Sequence, residues 1–354
     1  MKCLLFEQTG NPADVLKLAE RERPRPGNGE VLVRMLASPV NPSDLMFVEG
    51  AYGVDPQLPQ VPGFEGVGVV ESSGGGIRGR LMTGRRVAVL NRSGGNWAEF
   101  TVVPADQVIP LSGSLSVEQA ATFFVNPATA WVMTQEVLQL SAGEWLLQTA
   151  AASSLGRMII RLGKHLGFRT VNVVRRSSQV DELQRLGADQ VVVFDDRSDG
   201  PAELAQRIRE ATSAQPIRCA VDPVGGATGS GALQALGEHG RLLVYGTLSE
   251  QPLNFSPREL MTRGATVEGF WLGRYMQQQG LVKKLLLVRR LTRLIESGVL
   301  KTDNCYRIPL EGFPDLLSDR DGDPAAADGN DDQSELAVSR RVHGKVVLEM
   351  SATD

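Results

Sequence analysis

The chain has 354 residues, 42% of them hydrophobic and 22% charged, with a formal net charge of −4. That length predicts about two domains, enough to bury a substantial core. The mildly acidic balance supplies no overall basic field to draw the chain to nucleic acid or to an anionic membrane, and no apolar run reaches the ~18 residues of a spanning helix.

From the N-terminus, MKCLLFEQTGNPADVLKL opens directly as strand and turn. It lacks the apolar stretch and small-residue cleavage site of a secretory signal, and it is not an Arg-rich, acid-poor transit peptide. Strand-like runs follow in a region rich in Gly, Pro and Val: VLVRMLA (31–37), GVGVVES (66–72), RRVAVLN (85–91) and WAEFTVV (97–103). Turn residues separate them, which predicts a compact, barrel-like β domain over residues 1–124.

From 125 to 265 strand and helix signals alternate. EWLLQTA (144–150) and FRTVNVV (168–174) flank a helical pattern carried by Met158, Ile159, Leu162 and Leu166, and Gly167 ends that helix. QVVVF (190–194), the helical PAELAQRIREAT (201–212), CAVDPVG (219–225), a helix near 229–237 and RLLVYGT (241–247) continue the series. Such alternation predicts a parallel, doubly wound sheet.

Beyond 266 come TVEGFWL (266–272), a long helix over 281–298 and the late strand HGKVVLEM (343–350). That last strand cannot extend a parallel sheet without another crossover and is expected to return to the first domain. The expected organisation is therefore 1–124 and 266–354 as one domain, enclosing 125–265. The stretch 318–341 holds seven acidic residues and almost no apolar ones before Leu336, and reads as a mobile surface insertion. Asp319, Asp321 and Asp323 alternate as in a calcium loop, but the glycine and glutamate an EF-hand needs at its sixth and twelfth positions are missing. Cys3, Cys219 and Cys305 are far apart, form no metal spacing and suggest no disulfide framework, so a reducing cytoplasm is expected.

The most informative segment is 148–176, a strand, tight turn, helix and strand of the length a parallel βαβ crossover needs. Its turn, Ala150-Ala151-Ala152-Ser153-Ser154-Leu155-Gly156, keeps only the last glycine of a GxGxxG fingerprint. Ala and Ser still permit close backbone approach, and a helix N-terminus binds phosphate through its free N–H groups and dipole. At the end of the second strand, where NAD sites carry an acidic residue for the ribose hydroxyl, the chain has Arg175 and Arg176. Two guanidiniums suit a 2′-phosphate, so the expected cofactor is NADP(H). The competing readings are an ordinary βα turn and a solvated charge patch.

The segments together resemble the medium-chain dehydrogenase/reductase superfamily over nearly the full chain. The stretches that carry the resemblance are NPSD (41–44), PGFEGVGVV (62–70), the nucleotide unit, LGAD (186–189) and GKVVL (344–348). It implies an α/β chain in which a GroES-like, β-barrel-type catalytic domain is built from both ends around a Rossmann domain. Zinc-dependent members carry a Cys within the stretch occupied here by Val40-Asn41-Pro42, and a His in a GHE motif that reads here Gly63-Phe64-Glu65. A phenyl ring cannot coordinate zinc, and an amide is a poor substitute for a thiolate. Residues 91–98 contain no Cys, so the structural zinc lobe is missing as well. His165, His239 and His343 have no ligand spacing and read as surface residues. No metal is expected.

Within the superfamily the chain is most similar to the zinc-free 2-enoyl thioester (trans-2-enoyl-CoA/ACP) reductases. NPSDLMFVEGAYG (41–53) resembles their NPSD…GxYG stretch, which implies Tyr52 as proton donor. FFVNPATAW (123–131) resembles their VNPxTA segment, with Asn126 facing the nicotinamide. TVNVVRR (170–176) is similar to their 2′-phosphate strand, and GFWL (269–272) to their nicotinamide-side strand. The resemblance further implies cofactor contacts from Asn41 and Thr129, and from the turn residues Ala152, Ser153, Ser154, Leu155 and Gly156. It adds Ser177 beside Arg175 and Arg176, and the segment Tyr245, Gly246, Thr247 and Leu248. It ends with Phe270, Trp271, Leu272 and Lys345. Two departures stand out: Ser154 replaces a glycine the group usually keeps, and the acidic insertion sits just before Lys345.

Reduction of an α,β-unsaturated thioester needs a hydride at Cβ, a proton at Cα and donors for charge on the thioester oxygen. The implied activity is an NADPH-dependent enoyl reductase of fatty acid metabolism, with the acyl group on CoA or acyl carrier protein. The implied assembly is a homodimer joined through Rossmann edge strands, for which RLLVYGTL (241–248) is the candidate edge. The competing functions are a quinone or small enone reductase of the same superfamily and a nucleotide-binding protein without turnover.

Overall fold

In a computed structural model, residues 1–318 and 344–351 are described. The expected insertion, the weighed calcium loop and His343 fall outside these residues, Ser318 apart. The chain divides into two compact units, Met1–Phe124 with Thr302–Asp354, and Val125–Lys301.

The first unit begins with β1 (Lys2–Leu5) and β2 (Lys17–Glu20), an antiparallel pair. Its main sheet is built on β3 (Glu30–Pro39), β4 (Glu65–Ser73), β5 (Arg86–Leu90), β6 (Phe100–Pro104) and β7 (Val108–Pro110). The long strand β3 is antiparallel to β4 along one edge. Its other edge is shared: Glu30–Arg34 pair with β6, and its last residues pair with a strand from the far end of the chain. Val31, Val33, Met35, Val70, Val87, Val89 and Val103 point inward and join Phe6, Phe47 and Trp97 in one apolar core. Burying side chains of this size, at about 25 cal/mol per Å² of apolar surface, is what holds such a sheet closed.

The second unit contains β8 (Trp145–Gln148), β9 (Arg169–Val174), β10 (Gln190–Val193), β11 (Cys219–Asp222), β12 (Arg241–Val244) and β13 (Thr266–Gly269). All are parallel, in the order β10-β9-β8-β11-β12-β13. The order reverses at β8, which creates a switch point at the C-terminal ends of β8, β9 and β11.

The expected boundary at 265/266 moves to 301/302. The helix Pro257–Arg263 supplies the crossover for a sixth parallel strand, and β13 pairs with β12 from Arg241↔Thr266 to Val244↔Gly269. The helices Leu272–Gln277 and Leu281–Glu296 then stay with this unit. For the same reason 241–248 is not a sheet edge: β12 lies inside, and the edges of this sheet are β10 and β13.

The chain returns to the first unit with β14 (Cys305–Pro309), which the sequence pattern did not reveal, and β15 (Lys345–Glu349). These two are parallel, and β15 is the strand that closes on the end of β3. Among the described residues no helix is long and apolar enough to cross a membrane.

Candidate functional site

The turn at the switch point is set residue by residue. After β8 the chain turns at Ala150, which adopts a left-handed φ of 49° without being glycine. Ser153 caps the helix Ser154–Leu166, its Oγ accepting from the Gly156 N–H at 3.1 Å. The Ser153 hydroxyl proton is left to donate elsewhere. Gly156 is required by space: a Cβ there would lie 2.4 Å from the Ala151 carbonyl oxygen, and backbone cannot swing aside. Arg157 holds the turn from behind, donating to the Ala152 carbonyl at 2.9 Å and pairing with Glu182. Leu155 is buried, while Ala152, Ser153 and Ser154 are half-buried at the mouth.

Just past β9, Arg175, Arg176 and Ser177 are exposed. One carboxylate does reach this corner. Asp195, in the loop after β10, is held below the usual carboxylate range first by Arg197 and also by Arg175. Its oxygens accept from Arg197 at 3.0 and 3.1 Å, so its charge is engaged there. No local window around Arg175 could have shown it.

Two further residues at the switch point escaped the sequence reading. Thr149 at the end of β8 donates through its hydroxyl to Asp222 at the end of β11. Asp222 also accepts from the Val224 and Gly225 N–H groups at 3.1 and 2.9 Å. Burial pushes its carboxyl above the usual range. This contact ties the two strand ends on either side of the reversal. The only signal for it was a polar residue ending the apolar run of β11. Segment 245–248 is drawn to the same corner, with the Tyr245 N–H on the Asp222 carbonyl (2.9 Å) and the Leu248 N–H on that of Pro223 (2.8 Å).

Phe270 follows β13 and lies 6.1 Å from the Tyr275 ring, Trp271 is 37% exposed, and Leu272 starts the next helix. Asn126 and Thr129 sit on the helix Val125–Trp131, Asn126 half-buried and Thr129 buried.

In the first unit, Pro42–Glu49 forms a short helix that Gly50 ends at φ 79°. Tyr52 follows, half-buried, with Gly53 behind it at φ 75°. Left-handed backbone on either side makes glycine the natural occupant of both positions. Beneath the loop lies a buried polar group of Asn41, Asp44, Glu65 and Lys345. Lys345 Nζ donates to Asn41 Oδ1 at 2.7 Å, which turns the Asn41 Nδ2 toward Glu65 Oε1 at 3.1 Å. Asp44 accepts from the Asn41 N–H at 2.7 Å and the Phe64 N–H at 2.9 Å. The expected pair Asn41 and Lys345 is thus brought together across 304 positions of sequence, and Asp44 and Glu65 are additions.

This arrangement does not fit zinc. Phe64 offers no ligand atom, and the Asn41 oxygen already faces an ammonium, which would repel a cation. Among the described residues no three His, Cys, Asp or Glu side chains gather as a metal site. His165 and His239 are exposed.

Burial pushes the Asp44 carboxyl up to about 7, although its two backbone donors and Lys345 pull it down. The folded chain then keeps a proton that the unfolded chain, near its ordinary value of 3.8, has released. The folded state binds more protons between about pH 4 and 7, so this group's contribution to stability is present below that window and is lost as pH rises through it. The loss is on the order of 4 kcal/mol at most. Urea unfolding at about pH 4.5 and 7.5 should therefore show a shallower fall with pH for Asp44→Asn than for the wild type. Parallel pH profiles would remove Asp44 as the cause.

Residues 27–113 match the family described as alcohol dehydrogenase GroES-like domain, and residues 154–286 the family described as zinc-binding dehydrogenase. The mitochondrial enoyl-[acyl-carrier-protein] reductase of Homo sapiens is 32% identical over 321 residues, covering 90% of this chain and 84% of that protein. A solved structure from Bacillus thuringiensis, described as a candidate NADPH:quinone reductase, is 31% identical, with a TM-score of 0.82 over 98% of both chains. A solved complex of Etr1p with NADP and crotonyl-CoA is 26% identical, with a TM-score of 0.78 over 98% of this chain and 99% of that one.

Proposed function

The chain belongs to the medium-chain dehydrogenase/reductase superfamily, as a zinc-free oxidoreductase near its enoyl reductases, and we propose that it reduces the C=C bond of a 2-enoyl thioester with NADPH. The residues present fit that cofactor. The turn 150–156 leaves backbone room at a helix start, and Ser153 retains a hydroxyl proton for phosphate. Arg175, Arg176 and Ser177 would hold the 2′-phosphate. Asn126, Thr129, the 245–248 segment, Phe270, Trp271 and Leu272 would line the nicotinamide side. Asn41, whose amide Lys345 turns, is carried as a further candidate cofactor contact. Bound NADPH supplies the hydride delivered to Cβ.

The observation that carries the thioester reading is Tyr52, a half-buried phenol on a glycine-flanked loop in a chain 32% identical to an enoyl-[acyl-carrier-protein] reductase. A carbanion forming at Cα needs a positioned proton, and a phenol can give it. The second reading, quinone reduction, is favoured by the similarity to the Bacillus thuringiensis structure. Steady-state rates with NADPH on a panel of enoyl-CoA thioesters, quinones and small enones separate the two. Turnover confined to quinones would overturn the thioester reading, and turnover of nothing on the panel would favour a non-catalytic nucleotide-binding protein.

Two expectations accompany this reading. Elemental analysis of the purified protein should find no stoichiometric zinc, and chelator should leave turnover unchanged; one tightly bound zinc per chain would overturn that part. The protein should also form a homodimer, with β13 as the pairing edge, since pairing removes the aggregation hazard of a free edge strand. Light scattering that gives a monomer mass at micromolar concentration would reject it. The reading carries a role in fatty acid metabolism, and the scattered free cysteines carry a cytoplasmic location, which cell fractionation tests.

A further inference from the structure

We propose that Phe64, the ring standing where zinc-dependent relatives have a ligand, is the positioning residue that orients the phenol of Tyr52. The inference rests on the assignment of Tyr52 as proton donor. Tyr52 lies on the loop between Gly50 and Gly53, both in the left-handed conformation. The Phe64 ring packs against it at 5.1 Å between centroids, tilted by 38°. Phe64 is itself held on several sides. Its N–H donates to Asp44, whose other oxygen takes the Asn41 N–H, so one buried carboxylate clamps the start of the Pro42–Glu49 helix to the residue before β4. Its ring meets Phe47 at 5.1 Å, nearly edge-on, and Phe47 meets Phe6 at 5.8 Å in the same manner. Preceding it, Gly63 is pressed so closely on Trp97 that a Cβ would lie 2.5 Å from the Trp97 ring. A line of aromatic contacts thus runs from the buried core out to the Tyr52 loop.

A general acid works only when aimed, and misplacement by about 1 Å can cost on the order of 10²-fold in rate. Edge-to-face and offset aromatic contacts are directional, so a fixed Phe64 limits the tilt of the neighbouring ring. A phenyl ring does this without offering the phenol a competing hydrogen bond, which an imidazole at the same position would.

The test is a double-mutant cycle read on kcat for an enoyl-CoA thioester, with the NADPH KM as control. Phe64→Leu keeps an apolar side chain and removes the ring. In the wild-type background it should lower kcat by roughly 10–100-fold and leave the NADPH KM within about twofold. In the Tyr52→Phe background the same change should cost less than about twofold, because the group being aimed is gone. Thermal melting checks that each variant is folded. If Phe64→Leu costs the same factor in both backgrounds, or nothing in the wild type, the positioning role is overturned while Tyr52 keeps its assignment. If Tyr52→Phe alone leaves kcat unchanged, the donor assignment fails and the positioning role fails with it.

Discussion

Tyr52→Phe should lower the kcat for an enoyl thioester by roughly 10²–10⁴, the usual contribution of a positioned general acid. The substitution keeps the ring and its packing against Phe64, and removes only the hydroxyl. The loss should appear in kcat more than in KM, since the proton is delivered in the transition state. NADPH affinity should survive, because the turn 150–156 and the arginine pair belong to the other unit of the chain. Quinone turnover, where it occurs, should be much less affected, because a reduced quinone can take its protons from solvent. Rates with a deuterated cofactor identify whether hydride transfer limits turnover. An unchanged kcat under hydride-limited conditions would remove Tyr52 from the mechanism.

The double substitution Arg175→Ala/Arg176→Ala should raise the NADPH KM by roughly 10²–10⁴ and leave the NADH KM within a few-fold. Each charge-assisted contact to a 2′-phosphate contributes on the order of 1.5–3 kcal/mol. NADH has no phosphate at that position, so its binding does not depend on them. Asp195 sharpens the expectation: its charge, engaged by Arg197 and Arg175 in the wild type, loses one cation in the variant. The corner then becomes more repulsive to a phosphate, and NADPH should suffer beyond the lost contacts. Added salt should narrow the difference between wild type and variant, since both arginines are exposed and screened. An equal rise in KM for both cofactors would show that the arginines support the fold and do not select the phosphate.

Much of the architecture was legible in local pattern. The apolar runs at 144–150 and 168–174, with a 3.6-residue periodicity between them, correspond to β8, the helix Ser154–Leu166 and β9. The remaining strand and helix alternation up to β12 follows the same rule, because each buried strand needs a contiguous apolar run and each packed helix an apolar stripe. The turn of the candidate site was legible for a related reason: small residues before a helix start permit close approach, and Gly156 is where any side chain would strike backbone.

The pattern failed where a segment's role depends on a partner remote in sequence. The four-residue β13 is half-exposed, carries no continuous apolar run and is recognised as the sixth strand only by its pairing with β12. That pairing moved the boundary of the second unit to 301/302 and took 241–248 off the sheet edge. The sequence by itself determined the two-unit α/β plan and the dinucleotide-type turn, since these follow from side-chain chemistry and local periodicity, while its resemblance to zinc-dependent relatives marked Asn41 and Phe64 as standing in place of metal ligands. Only the tertiary structure decided that Lys345 orients Asn41, that Asp44 clamps Phe64, that Asp222 ties two strand ends and that Asp195 lies within electrostatic reach of Arg175. Such contacts arise when packing brings polar groups out of water together and each must find a partner, which no short window of sequence contains.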